Sequence, residues 1–156
     1  MDIIRKITAY LFFPLSIVYT IVVVVRNKAF ERGLLRQRRH QTPTIGVGNL
    51  SAGGTGKTPH IEYLTNMLSA IEGYKPAVLS RGYRRQTRGF VLATPSTAVE
   101  EIGDEPFQMY AKRPDVPVAV CEDRNLGMDM IANRCSDVNL VLLDDVYQHR
   151  YIRPDI

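Results

Sequence analysis

Thr44-Ile45-Gly46-Val47-Gly48-Asn49-Leu50-Ser51-Ala52-Gly53-Gly54-Thr55-Gly56-Lys57-Thr58-Pro59 is the stretch on which the fold turns. A short apolar run of β character leads into closely spaced glycines, and an amphipathic helical pattern follows. In a strand, loop and helix of this kind, successive backbone N–H groups curl around an anion while the helix directs its positive end at the same point. Ser51, Ala52, Gly53, Gly54, Thr55 and Gly56 form the expected cradle, Lys57 brings charge to the outer phosphates, and Thr58 offers a hydroxyl to Mg²⁺. The usual pattern opens on glycine, and here Ser51 stands in that place. The competing reading is a glycine-rich turn with an incidental Lys-Thr; the flanking strand and helix patterns favour the phosphate loop.

Beyond the loop the pattern alternates. Residues 57–71 carry Ile61, Leu64, Met67, Leu68 and Ile71 at helical spacing, with Pro59 in the first turn, where a missing N–H costs little. Residues 75–79, 89–92, 116–120 and 140–143 read as short strands, and 96–102 as a polar connection. One helix is expected from Gly103-Asp104-Glu105-Pro106 to about Lys112, and another, capped by Cys121-Glu122-Asp123-Arg124, to about Arg134. Such alternation implies an α/β domain of the P-loop NTPase type, a mostly parallel sheet with flanking helices and its ligand at the C-terminal strand ends. Arg81, Tyr83 and Arg84 follow one such strand. They are placed to meet an anionic or sugar-bearing substrate, or else form a solvated basic turn. The run 140–143 ends in Asp144-Asp145, the Walker B pattern in which a buried strand delivers a carboxylate to Mg²⁺. Asp104 has two readings, a helix cap or a carboxylate that accepts a hydroxyl proton; the residues alone favour the cap.

Upstream, residues 7–25 hold no charged side chain and are bracketed by Arg5-Lys6 and by Arg26 and Lys28. As a helix they would extend ~28 Å, about the hydrocarbon thickness of a bilayer. Pro14 would kink that helix, and Tyr10 and Tyr19 suit an interface. The run is longer than a signal peptide's apolar core and no small-residue cleavage pattern follows it. A membrane span and an interfacial anchor remain as readings. Residues 1–40 carry eight Lys/Arg against two acids, a net +6, whereas 41–156 carry twelve against fourteen, a net −2. The chain therefore divides at about residue 40 into an anchor with a basic juxtamembrane helix (1–40) and a nucleotide-binding domain (41–156). Basic charge confined to the flank of an apolar segment points to anionic lipid rather than nucleic acid, and sets the body on the cytoplasmic side. Cys121 and Cys135 lack metal-site spacing and read as buried thiols.

The motifs 49–59, Ser80-Arg81-Gly82-Tyr83, Gly103-Asp104-Glu105-Pro106, Asp123-Arg124 and 144–150 occur in the order seen in tetraacyldisaccharide 4'-kinases, the lipid A 4'-kinases, and the chain resembles that family along its whole length. The resemblance extends to Ser51; Val146 departs from it, where the family often has glycine. It implies an inner-membrane enzyme of lipopolysaccharide synthesis that moves the γ-phosphate of ATP onto the 4'-hydroxyl of tetraacyldisaccharide 1-phosphate. By that resemblance residues 51–58 bind ATP, Thr58, Asp144 and Asp145 serve Mg²⁺, and Asp104 becomes the base, with Asp145 beside it in catalysis. Arg81, Tyr83, Arg124, Gln148 and His149 would line the substrate region. Family members are longer, so an incomplete domain with weak or absent turnover is implied, without the histidine thought to pair with the catalytic aspartate; His40 and His60 are poor substitutes. The reading from another class is a membrane-docked nucleotide switch without lipid chemistry.

Overall fold

The structure, a computed structural model, describes residues 2–48, 57–146 and 150–156, with side chains from residue 13 onward except those of Leu15 and Lys57. Contacts divide the chain into two units, 1–37 and 38–156.

The first unit is dominated by helix α1, Asp2–Glu31, with Pro14 inside it. Its apolar side chains are not tucked away: Val18, Tyr19, Val22 and Val25 are each more than half exposed. The two hydroxyls among them are satisfied within the helix, Ser16 donating to the Phe13 carbonyl and Thr20 to the Ser16 carbonyl, both at 2.7 Å. Gly33, at φ +70°, closes the helix as its N–H bonds Phe30 O while the Leu34 N–H bonds Ala29 O. The expected juxtamembrane helix therefore ends at Glu31, and Arg32 and Arg36 lie past its last turn. Among the described residues no helix is long and apolar enough to cross a membrane, but the side chains of 7–12 and Leu15, part of the charge-free run, lie outside that description.

The second unit is an α/β layer structure. Strands β1 (Thr44–Val47), β2 (Pro76–Ser80), β3 (Val91–Leu92), β4 (Val118–Val120) and β5 (Leu140–Asp144) form one sheet in the order β1-β5-β2-β4-β3. All pairings are parallel except β3 with β4 at the edge, as the alternating pattern implies. Every residue of β2 and β5 is buried, because helices cover both faces. Val78, Val118 and Leu142 point to the side of α2 (Lys57–Ser69) and α4 (Asp104–Lys112), where Ile61, Leu68 and Met109 meet them. Leu79, Ala119, Val141 and Leu143 point the other way, to Met128 and Ile131 of α5 (Arg124–Arg134). The core stripe of α2 is narrower than its apolar pattern suggests. Ile61, Leu64, Thr65 and Leu68 face inward, Thr65 satisfying its hydroxyl on Ile61 O, whereas Met67 and Ile71 are exposed. The expected polar connection 96–102 contains a short helix, α3 (Val99–Ile102), opened by Glu101 bonding the Ala98 N–H.

The β1 edge is occupied. Ile156 donates its N–H to Thr44 O and accepts from the Gly46 N–H, the alternation of a parallel pair. Asp155 locks this contact by accepting from the backbone N–H (2.9 Å) and hydroxyl (3.0 Å) of Thr44 and from Arg39 Nε (2.6 Å). Arg38 grips Asp129 of α5 through two bonds of 2.7 and 2.8 Å. Arg38 and Arg39, expected in a lipid-facing basic stretch, are thus ion-paired across the second unit.

Candidate active site

Four parallel strands end together, and the described parts of the motifs lie there. In the ladder Val47 stands opposite Asp144, and Ser80 opposite Val120. The strand that enters the glycine loop therefore lies beside the strand that delivers the carboxylates. Residues 51–56 and the side chain of Lys57 lie outside the described residues, but α2 begins at Lys57, with Thr58 half-buried and Pro59 in its first turn.

Asp144 is 2% exposed and Ser80 4%, and the Ser80 hydroxyl donates to Asp144 Oδ2 at 2.9 Å. The main chain of Asp144 is held from the other side, where Arg124 gives one N–H to Asp144 O (2.8 Å) and another to Cys121 O (2.6 Å). Arg124 is itself buried. Desolvation lowers its pKa to about 10, opposed by the charges of Asp144 and Asp145, so it stays cationic at neutral pH. The cause is local, since Asp123 caps α5 by accepting from the Asn125 and Leu126 N–H groups, and the next residue turns inward. Arg124, expected to line the substrate region, is instead spent on strand ends. Asp145 is exposed and adopts φ +52°, a left-handed conformation that costs a non-glycine residue about 1–2 kcal/mol.

The loop after β2 is fastened to the start of α4. Gly82 and Gly103 both have positive φ and pack back to back; a Cβ on Gly103 would stand 2.8 Å from Tyr83 O, and one on Gly82 3.0 Å from Ile102 O. Two glycines are needed for that approach, and it carries Asp104 to the flank of the Ser80–Tyr83 motif. Asp104 does not cap the helix. Gly103 occupies the cap position, and the Asp104 carboxylate is exposed in the first turn, making no hydrogen bond among the described residues. Arg85 fixes the loop from beneath: its buried guanidinium bonds Gly89 O (2.6 Å) and pairs with Glu122 (2.8 Å). Burial pushes Glu122 up, but backbone N–H groups and Arg85 hold its pKa below the usual range. Arg81, Tyr83 and Arg84 are left exposed on top, the Arg84 guanidinium 5.3 Å from the Tyr83 ring.

Other expectations fall elsewhere. Gln148 and His149 lie outside the described residues. His40 has a buried side chain committed to Asn125 at 2.9 Å, and His60 is exposed on α2. Cys121 is buried and free, its thiol pushed up by burial; Cys135 is free and half-buried. A cavity of about 240 Å³ opens beside the site between Glu122–Asn125 and Tyr151–Ile152. Ser80, Gly82 and Gly103 stand in the quoted motifs with no role of their own assigned by residue type, and Arg85 lies just outside one; their signal was membership of, or adjacency to, those motifs.

Residues 8–156 match the model of the tetraacyldisaccharide-1-P 4'-kinase family. A tetraacyldisaccharide 4'-kinase from Phocaeicola vulgatus is 48% identical over 97% of this chain and 41% of its own length; one from Bacteroides thetaiotaomicron is 50% identical over 92% and 38%. The crystal structure of the "apo" form of LpxK from Aquifex aeolicus in complex with ATP superposes with a TM-score of 0.84 at 34% identity, covering 93% of this chain and 46% of that one. The chain thus spans about two-fifths of the length of the curated relatives it matches. With the described motif residues gathered at one edge of this sheet and the match running almost end to end, the chain belongs to the tetraacyldisaccharide-1-P 4'-kinase family.

Proposed function

We propose that this chain is the nucleotide-binding part of a P-loop kinase that transfers the γ-phosphate of ATP to the 4'-hydroxyl of tetraacyldisaccharide 1-phosphate, a lipid A precursor. The observation that carries the reading is the convergence of Val47, Ser80, Asp144 and Arg124 at one sheet edge, next to the start of α2. Residues 51–56 wrap the ATP phosphates with backbone N–H groups, Lys57 meets the outer phosphates, and Thr58 lies at the metal. The residues present fit Mg²⁺, which takes one or two protein carboxylates and completes its shell with phosphate and water. Asp144 and Asp145 are those carboxylates; the ion, when bound, neutralises phosphate charge during transfer. Asp104 is the base that takes the sugar hydroxyl proton, its exposed carboxylate, which makes no hydrogen bond among the described residues, being open to an acceptor. Arg81 and Tyr83 meet the phosphorylated sugar, and the resemblance assigns Gln148 and His149 to the same substrate.

The acceptor is a lipid, so the enzyme must work at a surface. The exposed apolar side of α1, its internally satisfied hydroxyls, and Arg26, Lys28, Arg32 and Arg36 support an anchor in an anionic bacterial inner membrane with the catalytic body on the cytoplasmic face. The test is transfer of labelled γ-phosphate to the disaccharide in vesicles. It is run with this chain and with a chimera in which the chain replaces the matching part of the Phocaeicola vulgatus relative. Transfer by the chimera, abolished by Asp104→Asn, is expected. A folded chimera that binds ATP but phosphorylates nothing, or one indifferent to Asp104→Asn, overturns the reading.

A further inference from the structure

We infer that Ser80 is a positioning residue that sets the direction of the Asp144 carboxylate toward the metal; this rests on the reading of Asp144 as a Mg²⁺ ligand. Ser80 opens the Ser80-Arg81-Gly82-Tyr83 motif, and its place in the reaction is assigned by nothing in the nucleotide-site chemistry above. It is the last residue of β2, next to β5 in the sheet, so its side chain and that of Asp144 leave neighbouring strand ends.

Three constraints act on the carboxylate. The main chain of Asp144 is fixed by the parallel ladder to β1 and by Arg124 on its carbonyl, which leaves side-chain rotation as the remaining freedom. The Ser80 hydroxyl removes that freedom through its 2.9 Å bond to Oδ2. The hydroxyl has one proton to give, and the direction of giving is set. The Gly82 N–H points at the same oxygen from 3.5 Å, so that oxygen accepts from the loop and donates to the carboxylate. Both side chains are buried, where a bond to an ionised group is stronger than in water and a carboxylate without it would turn or seek another donor. The single Ser80 hydroxyl proton is spent on Oδ2, so Ser80 itself makes no demand on the other carboxylate oxygen. The same hydroxyl ties the metal ligand to the loop bearing Arg81 and Tyr83, so nucleotide and acceptor regions share one hinge point at the end of β2.

The test is a Mg²⁺ titration of binding of a fluorescent ATP analogue to the 156-residue chain, with Ser80→Ala, Ser80→Cys and Asp144→Asn alongside the parent. Ser80→Ala is expected to raise the Mg²⁺ concentration for half-maximal tightening about tenfold, the loss of one hydrogen bond to a charged group. Affinity measured without Mg²⁺ should not move. Ser80→Cys, which keeps the volume and a weak donor, should fall between parent and alanine, and it carries the test if the alanine variant does not fold. Parent-like Mg²⁺ dependence in Ser80→Ala, with that dependence lost in Asp144→Asn, would overturn the positioning role while leaving the metal reading intact. Equal loss of affinity with and without Mg²⁺ would also overturn it, as a purely structural effect. Unchanged Mg²⁺ dependence in Asp144→Asn would remove the metal reading itself and the role of Ser80 with it.

Discussion

The two edges of the sheet hold charge in opposite ways. At the C-terminal edge a buried set is bound to strand ends, Ser80 to the Asp144 carboxylate and Arg124 to two main-chain carbonyls, with Arg81, Tyr83, Arg84 and Asp145 exposed around it. At the N-terminal edge lies a larger concavity, an open groove of about 610 Å³ lined by Tyr74, Lys75, Arg113, Arg134 and Asp137 among others. Its charges include two solvent-facing pairs, Lys75 with Asp137 at 3.1 Å and the half-buried Arg113 with exposed Asp115 at 2.6 Å. Exposed pairs of this kind contribute little to stability and order nothing around them. Size therefore points to the wrong edge, and the buried polar groups bonded to strand ends point to the right one.

That contrast is open to measurement. The largest difference is expected from Arg124→Met, which leaves two buried carbonyls without their donor and should cost about 3 kcal/mol in urea unfolding. Lys75→Met in the groove should stay within about 0.5 kcal/mol of the parent. Equal costs at the two edges would erase the distinction. Next come two glycines. Gly103 sits at φ +88° and ψ 161° with main chain 2.8 Å from a would-be Cβ, so Gly103→Ala should cost about 2–3 kcal/mol. Gly73, before β2, has φ +90° and open space, so Gly73→Ala should cost about 1 kcal/mol. A thermal-melt series would separate the two, and only the first should also depress phosphate transfer, by moving Asp104.

A smaller effect tests the clamp at the start of β1. The Thr44 backbone N–H, and then Arg39, hold the Asp155 carboxyl below its usual range. A lowered folded pKa gives stability that is present above the unfolded carboxylate range and is lost as pH falls through the folded value. Asp155→Asn should therefore melt below the parent at pH 7, with the gap closing in acid. A gap independent of pH would show that the carboxylate charge is not what holds the contact.

Much of this could be read from the chain. Apolar runs short enough for strands gave β2 and β5, and Gly103-Asp104-Glu105-Pro106 gave the start of α4, because both signals are local. The phosphate loop was legible from its glycines and their flanks. Helix α3 was hidden, since four residues in a polar connection give no period, and Met67 and Ile71 looked like core because spacing cannot say how wide a face is covered. Arg38 and Arg39 read as free charge because their partners Asp129 and Asp155 are about a hundred residues away in the chain. Arg124 came to the substrate region through the family resemblance, since nothing in an Asp-Arg pair itself says which of the two turns inward. The capping of α5 by Asp123 decides that, and the pairing of Gly82 with Gly103 is likewise a property of the fold.

The most direct measurement is ATP binding by this chain in the presence of Mg²⁺, with one substitution at each edge. Lys57→Ala, at the start of α2, should reduce affinity at least tenfold, and Arg134→Ala, in the groove, should leave it at the parent value. Binding that survives Lys57→Ala, or that is lost with Arg134→Ala, would contradict the placement of the nucleotide at the C-terminal edge and the kinase reading built on it.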